Sequence, residues 1–507
     1  MQGSTYYDII TVALVGFILY KVNQVVYRLC FSPLAKFPGP KFAAATRLYE
    51  LYFDVVKDGQ FMWEIDRMHK KYGPIVRINP NELHIHDPDF YDDIYSGPTR
   101  KRDKDLQFVT GGWPGSSFGT APHALHRLRR GMLSPFFSKQ AVMRLEPTIQ
   151  EKTLSLCNHF YKAIEDRTAL ELHACFVCFA VDMVSSYAFG ESHCFGCLDE
   201  ARLSDVWKTR VNTIFEWAVA IRHFPFLYWL ARYFPIKVFA CHRYGMALES
   251  VVRDGLKTSI GAGSAGSQLK DGTKPIFLAI ANDPKLPPYE KDLHRLEDEA
   301  IFLLVAGVDA PSQVLAITMF HVLRNPDVFQ KLNSELLSAI PDPKIIPSLA
   351  KLESLPYLSA VIKEGLRLSA VVTSRLPRIA MDETIQYQHW KIPPGTPVSS
   401  SIHLILRDPK IFTDALTFVP DRWIQTGKTG SNMEKYLVPF SKGTAGCLGP
   451  NMAYAWLYIV LATILRKFEF RLDNTTEENI TIVRDCFNAQ TKPGLNMINV
   501  KVLAERA

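Results

Sequence analysis

The sequence predicts a mainly α-helical protein with small β-sheets, preceded by a transmembrane helix. Helical spacing of apolar residues dominates from about Lys41 onward, whereas strand-like segments are short and fall at residues 75–78, 83–86 and 385–390. Of the 507 residues, 47% are hydrophobic. That proportion is sufficient for a large core, so extensive disorder is not expected.

The N-terminal segment, residues 1–30, is predicted to be an uncleaved membrane anchor. Residues 9–20 are almost wholly apolar, and the positive charges of Lys21 and Arg28 follow this run. A secretory signal peptide would instead place positive charge before the run and a small-residue cleavage site after it. Because positive flanks stay in the cytosol, the body of the protein is expected there. A cleaved signal and a buried core helix are the alternatives.

A stiff turn separates the anchor from the rest of the chain. Phe37-Pro38-Gly39-Pro40 cannot continue a helix, because proline lacks a backbone N–H and has a fixed φ. We therefore assign residues 31–41 to a proline-rich hinge and residues 42–507 to one large domain.

The formal net charge of +7 is modest, and Lys and Arg are scattered along the chain. This distribution gives little support for nucleic-acid binding. It suits an anionic membrane surface or an acidic protein partner better.

Two cysteine pairs have the spacing of a zinc site, Cys175-x-x-Cys178 and Cys194-x-x-Cys197. The first pair lies in an apolar helical stretch without the turn residue that zinc knuckles use. We therefore expect buried, reduced thiols, with a zinc-stabilised structural protein as the alternative.

A further cysteine, Cys447, has a different setting. Gly443, Gly446 and Gly449 flank it, and an apolar helical pattern follows. Glycines allow a tight turn and close approach to a flat ring. A helix that begins just after the cysteine favours the thiolate, the form that donates electron density to haem iron.

The pattern Phe440-x-x-Gly443-x-x-x-Cys447-x-Gly449 resembles the haem-binding loop of cytochrome P450 enzymes. The preceding residues resemble fungal microsomal members of the trichodiene-oxygenase type, and the likeness runs from Pro38 to the C-terminus. It implies the cytochrome P450 fold, haem b, Cys447 as axial iron ligand, and haem contacts from Phe440, Gly443 and Gly449. One position departs from the family: Ala445 stands where an Arg or His usually binds a haem propionate.

Other segments match the family in the expected order. Glu364 and Arg367 resemble its Glu-x-x-Arg pair, and Arg422 resembles the third member of a structural triad. By the same resemblance, Arg378 would bind a propionate.

A basic segment from His126 to Arg130 resembles another propionate-binding helix of the family. His126 and Arg130, four residues apart, share one helix face and could hold a single carboxylate. Arg127 and Arg129 are expected on a solvated basic face, where they could meet an acidic reductase.

The segment from Ala306 to Pro311 resembles the oxygen-binding groove of the family's long central helix. The resemblance implies catalytic roles for Ala306, Gly307 and Asp309. The family usually has a threonine where this chain has Ala310, so protons must travel without that hydroxyl.

The resemblance implies a haem-thiolate monooxygenase whose catalytic domain spans residues 42–507, on the cytosolic side of the endoplasmic reticulum membrane. It would oxidise an apolar small molecule, such as a terpenoid or another fungal secondary metabolite. Electrons would come from NADPH through NADPH-cytochrome P450 reductase, with cytochrome b5 as a further partner. Ala310 and Ala445 also motivate two alternatives. One is an enzyme that rearranges, dehydrates or cyclises its substrate without oxygenation, and the other is a catalytically silent haem-binding protein.

Overall fold

The structure is a computed structural model of the chain, in which residues 2–6 and 240–247 are described by their backbone alone. The residues it describes are 2–109, 113–226, 240–261, 269, 272–424 and 433–506. Within them the chain is mainly helical with small β-sheets, as the sequence predicts.

The helices surround one long helix, Leu293–Arg324, here called the central helix. It contacts the core helix Leu172–Phe189, the triad helix Pro356–Ser369 and the cysteine helix Pro450–Lys467. One cluster of buried apolar side chains joins all four. The other α-helices are Gln2–Val26, Lys41–Ala45, Leu48–Leu51, Phe61–Tyr72, Tyr91–Ile94, Leu106–Val109, His123–Leu133, Lys139–Arg144, Glu146–Asp166, Val206–His223, Ala240–Gly261, Ile276–Ala281, Pro326–Ala339, Leu349–Glu353 and Ile402–Leu406.

The largest described sheet has five strands. Their spatial order is Ile75–Arg77, Leu83–Ile85, Pro397–Ser399, Arg378–Ile379 and Asp103–Lys104. The last two strands are antiparallel and place Lys104 opposite Arg378. The strands of the smaller sheets are Ala169–Glu171, Ile385–Tyr387, Trp390–Ile392, Phe468–Leu472, Arg484–Cys486, Asn488–Gln490 and Asn499–Glu505.

Each of the three predicted segments contains a strand in the structure. Residues 385–390, however, contain a turn between two strands. Gln388 has a φ of 50°, in the left-handed region that ends an extended run.

From Tyr7 to Asn23 the N-terminal helix is exposed. It continues through a π-helical turn, Tyr27–Phe31, and none of the apolar span Tyr7–Phe31 is buried. The core and central helices are also long and apolar enough to cross a membrane, but 94% and 56% of their most apolar windows are buried. Among the described helices, the N-terminal one is therefore the candidate membrane span.

The hinge packs against the first strand of the five-stranded sheet. The N–H of Arg77 donates to the Pro38 carbonyl at 2.7 Å, and its guanidinium donates to the carbonyl of Arg28 at 2.8 Å. A Cβ atom on Gly39 would lie 2.5 Å from the Arg77 carbonyl oxygen. Only glycine therefore permits this close approach between hinge and sheet.

The cysteine pairs with zinc spacing do not form a metal cluster in the described part of the chain. Cys175 and Cys178 are buried in the core helix. The one described group of three or more possible metal ligands contains no cysteine.

Candidate active site

A cavity of about 760 Å³ lies between the central helix and the loop that carries Cys447. Ala306, Gly307 and Ala310 line it from the central helix, and Phe440 and Cys447 line it from the loop. Two motifs that are far apart in sequence therefore meet at one cavity.

The shape of the cysteine loop depends on Gly443. This residue has a φ of +73°, and a Cβ atom there would lie 2.3 Å from the carbonyl oxygen of Ser96 and 2.5 Å from that of Tyr95. A side chain is thus excluded by both conformation and space. The loop is closed by the N–H of Cys447, which donates to the Phe440 carbonyl at 2.8 Å.

The Cys447 sulfur is accessible, and the residue lines the cavity. The N–H of Gly449 donates to this sulfur at 3.4 Å, and the cysteine helix begins at the next residue. Burial raises the pKa of the Cys447 thiol, while the N–H groups of Gly449 and Leu448 and the charge of Arg130 act to lower it. A positively charged ligand at the sulfur would further favour the thiolate.

Six basic residues line the same cavity. Four of them form one cluster of charges that repel one another: Lys104, His126, Arg130 and Arg378. Burial lowers the pKa of each of these four. For His126 the pKa falls to about 2, since Lys104, Arg130 and Arg378 add repulsion to the cost of burial. Such a cluster favours an anionic ligand. The two propionates of haem supply that charge, so these residues fit the group.

Arg130 and Arg378 both reach the cysteine loop beside Ala445. Arg130 donates to the carbonyls of Gly446 at 2.7 Å and Cys447 at 2.9 Å, and Arg378 donates to the carbonyl of Ala445 at 3.3 Å. Two guanidinium groups therefore stand next to the position where the family's usual Arg or His is missing.

The expectation of a solvated basic face is wrong for Arg129. Its Nε lies 3.2 Å from a carboxylate oxygen of Glu290, which is fully buried. It also donates to the Thr120 hydroxyl at 2.7 Å. Arg127 is exposed, as predicted.

Sequence reasoning missed Lys104. This residue lies in a charged segment that is typical of solvated surface, yet its side chain is buried and its Nζ donates to the carbonyls of Ser117 and Phe118. The pairing of Lys104 with Arg378 across the sheet brings it to the cavity. No pattern within its own segment indicates that pairing.

Glu364 and Arg367 form a fully buried ion pair, with Arg367 Nη2 and Glu364 Oε1 2.8 Å apart. Arg422 Nε lies 3.2 Å from the same oxygen, and the Trp423 indole donates to the other at 2.9 Å. Arg367 also donates to three backbone carbonyls. This saturation of hydrogen bonds is what a buried ion pair requires. The three triad residues meet as predicted.

The central helix continues through Pro311 without a break. Asp309 is buried, and its Oδ2 accepts hydrogen bonds from Gln313 at 2.9 Å and Asn488 at 2.6 Å. Ala310 and Asn488 line the large cavity, but Asp309 is not among its lining residues. Asp309 thus lies behind the cavity wall.

Glycine at position 307 leaves room in the cavity, and it also leaves room for the neighbouring core helix. A Cβ atom there would lie 3.0 Å from Cγ2 of Val184 on the core helix. A side chain at position 307 would therefore press on the neighbouring helix as well.

The cytochrome P450 family model matches residues 46–496, nearly the whole chain. The chain belongs to the cytochrome P450 family. It is 39% identical to conidiogenone synthase from Penicillium rubens, over 93% of this chain and 94% of that protein. It is 38% identical to a cytochrome P450 monooxygenase from Sordaria araneosa, over 96% of both chains. It is also 38% identical to tryptophan 6-hydroxylase from Fusarium equiseti, over 98% and 97%.

The chain is thus a cytochrome P450 monooxygenase of the kind found in fungal secondary metabolism, and the family implies a haem cofactor and a redox partner. The rest of this cytochrome P450's cavity is strongly aromatic. Phe118 and Phe302 stack with ring centres 4.5 Å apart, and Phe487 packs edge-on to Phe118 at 5.6 Å. Phe487 has a φ of +74°, which is unusual for a bulky residue. Such strain is typical of ligand sites.

Proposed function

We propose that this cytochrome P450 inserts one oxygen atom from O2 into an apolar small molecule, a terpenoid or another fungal secondary metabolite. The observation that carries this proposal is the accessible Cys447 sulfur, which faces the same cavity as Ala306, Gly307 and Ala310. When bound, haem b supplies the redox chemistry of oxygen activation.

The cysteine loop would hold the haem against the central helix. Cys447 would be the axial iron ligand, because its sulfur is the thiol that lines the cavity. Phe440, Gly443 and Gly449 would shape the loop beneath the ring and let the backbone approach it closely.

The cluster of four basic residues would bind the haem propionates. Arg130, Arg378, His126 and Lys104 line the cavity, and each would gain an anionic partner for a side chain that is otherwise costly to charge. Arg130 and Arg378 would thereby replace the Arg or His that the family usually has at the position of Ala445.

The distal side would position substrate and admit protons. Ala306, Gly307 and Ala310 present little bulk to the cavity, which would leave space for a bound haem and its substrate. The aromatic residues Phe118, Phe302 and Phe487 would orient an apolar substrate and exclude water from it.

The buried Glu364–Arg367–Arg422 triad would be structural. Glu364 and Arg367 lie on the triad helix, which packs against both the central and the cysteine helices, and Arg422 joins them from a later segment. The triad would so fix the two walls of the cavity relative to one another.

We further propose a single-pass endoplasmic reticulum protein with three parts: the anchor of residues 1–30, the hinge of residues 31–41 and the haem-thiolate catalytic domain of residues 42–507. The exposed span Tyr7–Phe31 supports the anchor. The catalytic domain would face the cytosol, where NADPH-cytochrome P450 reductase or cytochrome b5 can deliver electrons.

Substitution of the proposed iron ligand tests the function. Cys447→Ser should abolish the red-shifted Soret band of the ferrous carbonyl complex, because that band requires a thiolate ligand. Cys30→Ser is the matched control, since Cys30 is also an exposed thiol but lies in the proposed anchor. Survival of the band in Cys447→Ser would refute the assignment. With reductase and candidate terpenes supplied, wild type should form products one oxygen atom heavier, and substrate turnover without NADPH would refute monooxygenation.

A further inference from the structure

A second cavity, of about 40 Å³, lies beside the central helix at Gln313. Four atoms of residues on its wall are buried and have no hydrogen-bond partner. They are His173 Nε2, Asn212 Oδ1, Gln490 Nε2 and Thr491 Oγ1. Buried polar atoms in proteins are nearly always paired, with water where the protein offers no partner. One water needs roughly 10–15 Å³, so the cavity has room for about two or three.

His173 connects this cavity to Asp309. The Nε2 atom of His173, on the core helix, lies 3.6 Å from Oδ1 of Asp309, and both residues are buried. That separation is just beyond hydrogen-bond length, so a small rotation closes it. Because Gln313 and Asn488 both bind Oδ2, Oδ1 is the oxygen that faces His173.

Asn488 connects Asp309 to the large cavity. Its amide donates to Asp309 Oδ2 at 2.6 Å, and the residue lines the cavity that Ala310 also lines. The Ser312 hydroxyl does not offer a rival path, since it donates to the Val308 carbonyl of its own helix at 2.6 Å. A chain of polar groups thus leads from the small cavity to the wall of the large one.

We propose that water in the small cavity supplies protons to Asp309 through His173, in place of the hydroxyl missing at position 310. This inference rests on the proposed function, because monooxygenation consumes protons. In each transfer the Nε2–H bond of the His173 imidazolium breaks and an H–Oδ1 bond forms on Asp309. Nε2 then takes a proton from hydronium in the small cavity, whose O–H bond breaks to leave water. Asn488 is a positioning residue: when the carboxyl group rotates away from its amide, the acid reaches the large cavity.

The other charged groups beside His173 are Glu171 and Lys208. Lys208 Nζ lies 2.9 Å from Glu171 Oε2, and the backbone N–H of His173 donates to Glu171 Oε1 at 3.1 Å. Glu171 and Lys208 thus form an ion pair with each other beside His173.

A double-mutant cycle tests the relay. NADPH oxidation by the full-length holoenzyme with reductase should fall roughly 10²-fold in Asp309→Asn, at the low end of the loss of a general acid. His173→Gln should cause a fall of the same order, and the double variant should be no slower, because both residues serve one path. The part of the pH dependence of NADPH oxidation that arises from protonation of a histidine should disappear in His173→Gln. An unchanged rate in His173→Gln, or losses that multiply, would overturn the proposal.

A matched substitution and a second readout separate the relay from folding and from the proposed function. His159→Gln changes a histidine that binds the Leu198 carbonyl, far along the chain from Asp309, and should keep the wild-type rate. Infrared spectra of the ferric protein should show a carboxyl band from Asp309 that is absent in Asp309→Asn. The pH at which this band is half-maximal should be higher in His173→Gln than in wild type. An unmoved midpoint would overturn the relay. Absence of NADPH oxidation in wild type would instead refute the proposed function, and the infrared result would still decide the relay.

Discussion

At the scale of single residues, one part of the cavity is lined by a cluster of basic groups that repel one another. Lys104, His126, Arg130 and Arg378 come from a strand, a helix and a second strand, and all line one cavity. Their lowered pKa values measure how unfavourable their positive charge is without an anion. An anionic cofactor relieves that cost, which couples haem binding to the stability of this region.

Removal of one basic group should lower haem occupancy. On the proposed assignment, Arg130→Ala and Lys104→Met would each remove a charge-assisted hydrogen bond to a propionate, worth about 1.5–3 kcal/mol. We expect less haem per chain, measured by the pyridine haemochrome assay. Arg127→Ala, on the exposed face of the same helix as Arg130, is the control and should keep full occupancy. Full haem content in Arg130→Ala, Lys104→Met and Arg378→Ala would contradict this assignment.

At the scale of elements, the cysteine loop is fixed by backbone contacts as much as by side chains. Gly443 approaches the carbonyls of Tyr95 and Ser96, at the end of helix Tyr91–Ile94. The loop therefore takes its position from a segment about 350 residues earlier in the chain.

Gly443→Ala should disrupt the loop. The added Cβ meets two backbone carbonyls and the φ of +73° strains any L-residue, so haem content and melting temperature should both fall. Gly131→Ala is the matched control, because no atom lies within 4 Å of a Cβ there and the residue is in a helix. That variant should be neutral or more stable by about 0.4–1 kcal/mol. A Gly443→Ala protein with normal haem content would show that the loop is more adaptable than its contacts indicate.

A histidine contact joins the helix Phe61–Tyr72 to the five-stranded sheet. His69 Nε2 lies 2.7 Å from Nδ1 of His84. Burial lowers the pKa of His69 to about 4, and the charge of the neighbouring His86 also acts to lower this pKa. His69 is therefore neutral in the folded protein at pH values where it is protonated when unfolded.

This contact predicts loss of stability in mild acid. Between pH 6.5 and about 4 the unfolded chain binds a proton that folded His69 does not, so stability falls as pH falls through this window. The largest loss of unfolding free energy that His69 can cause is about 3 kcal/mol, at 1.36 kcal/mol per pKa unit. Melting temperatures should fall less steeply between pH 6.5 and 4 in His69→Leu than in wild type. His389→Leu, at an exposed histidine, should keep the wild-type slope, and an unchanged slope in His69→Leu would contradict the prediction.

At the scale of the whole molecule, the described part of the chain combines one exposed apolar helix with a large domain built around a buried core. The Arg77 guanidinium links them through the Arg28 carbonyl. The anchor is therefore tied to the five-stranded sheet, which also contributes Lys104 and Arg378 to the cavity.

The full-length protein should resist carbonate extraction from membranes and retain Met1 or Gln2 at its N-terminus. A charged residue in the middle of a span costs about 2.5–3.5 kcal/mol. The double variant Leu14→Asp, Ile18→Asp, at two exposed positions of the helix, should therefore be extracted. A mature N-terminus near residue 25 would instead indicate a cleaved signal.

The sequence by itself determined the family, the predominance of helix and the apolar anchor segment, because these depend on local spacing. Cys447 with its glycines, and Glu364 with Arg367, are recognisable within a few residues of chain. The roles assigned to them stay predictions, although the structure places them as those roles require.

Only the tertiary structure decided which charged groups share an environment. Lys104 and Arg129 both lie in basic segments that suggest solvent, yet Lys104 lines the cavity and Arg129 pairs with buried Glu290. Asp309, expected at the oxygen groove, lies behind its wall and faces His173. Burial and charge pairing depend on contacts between segments that are distant in sequence. The spacing of residues within one segment therefore does not predict them.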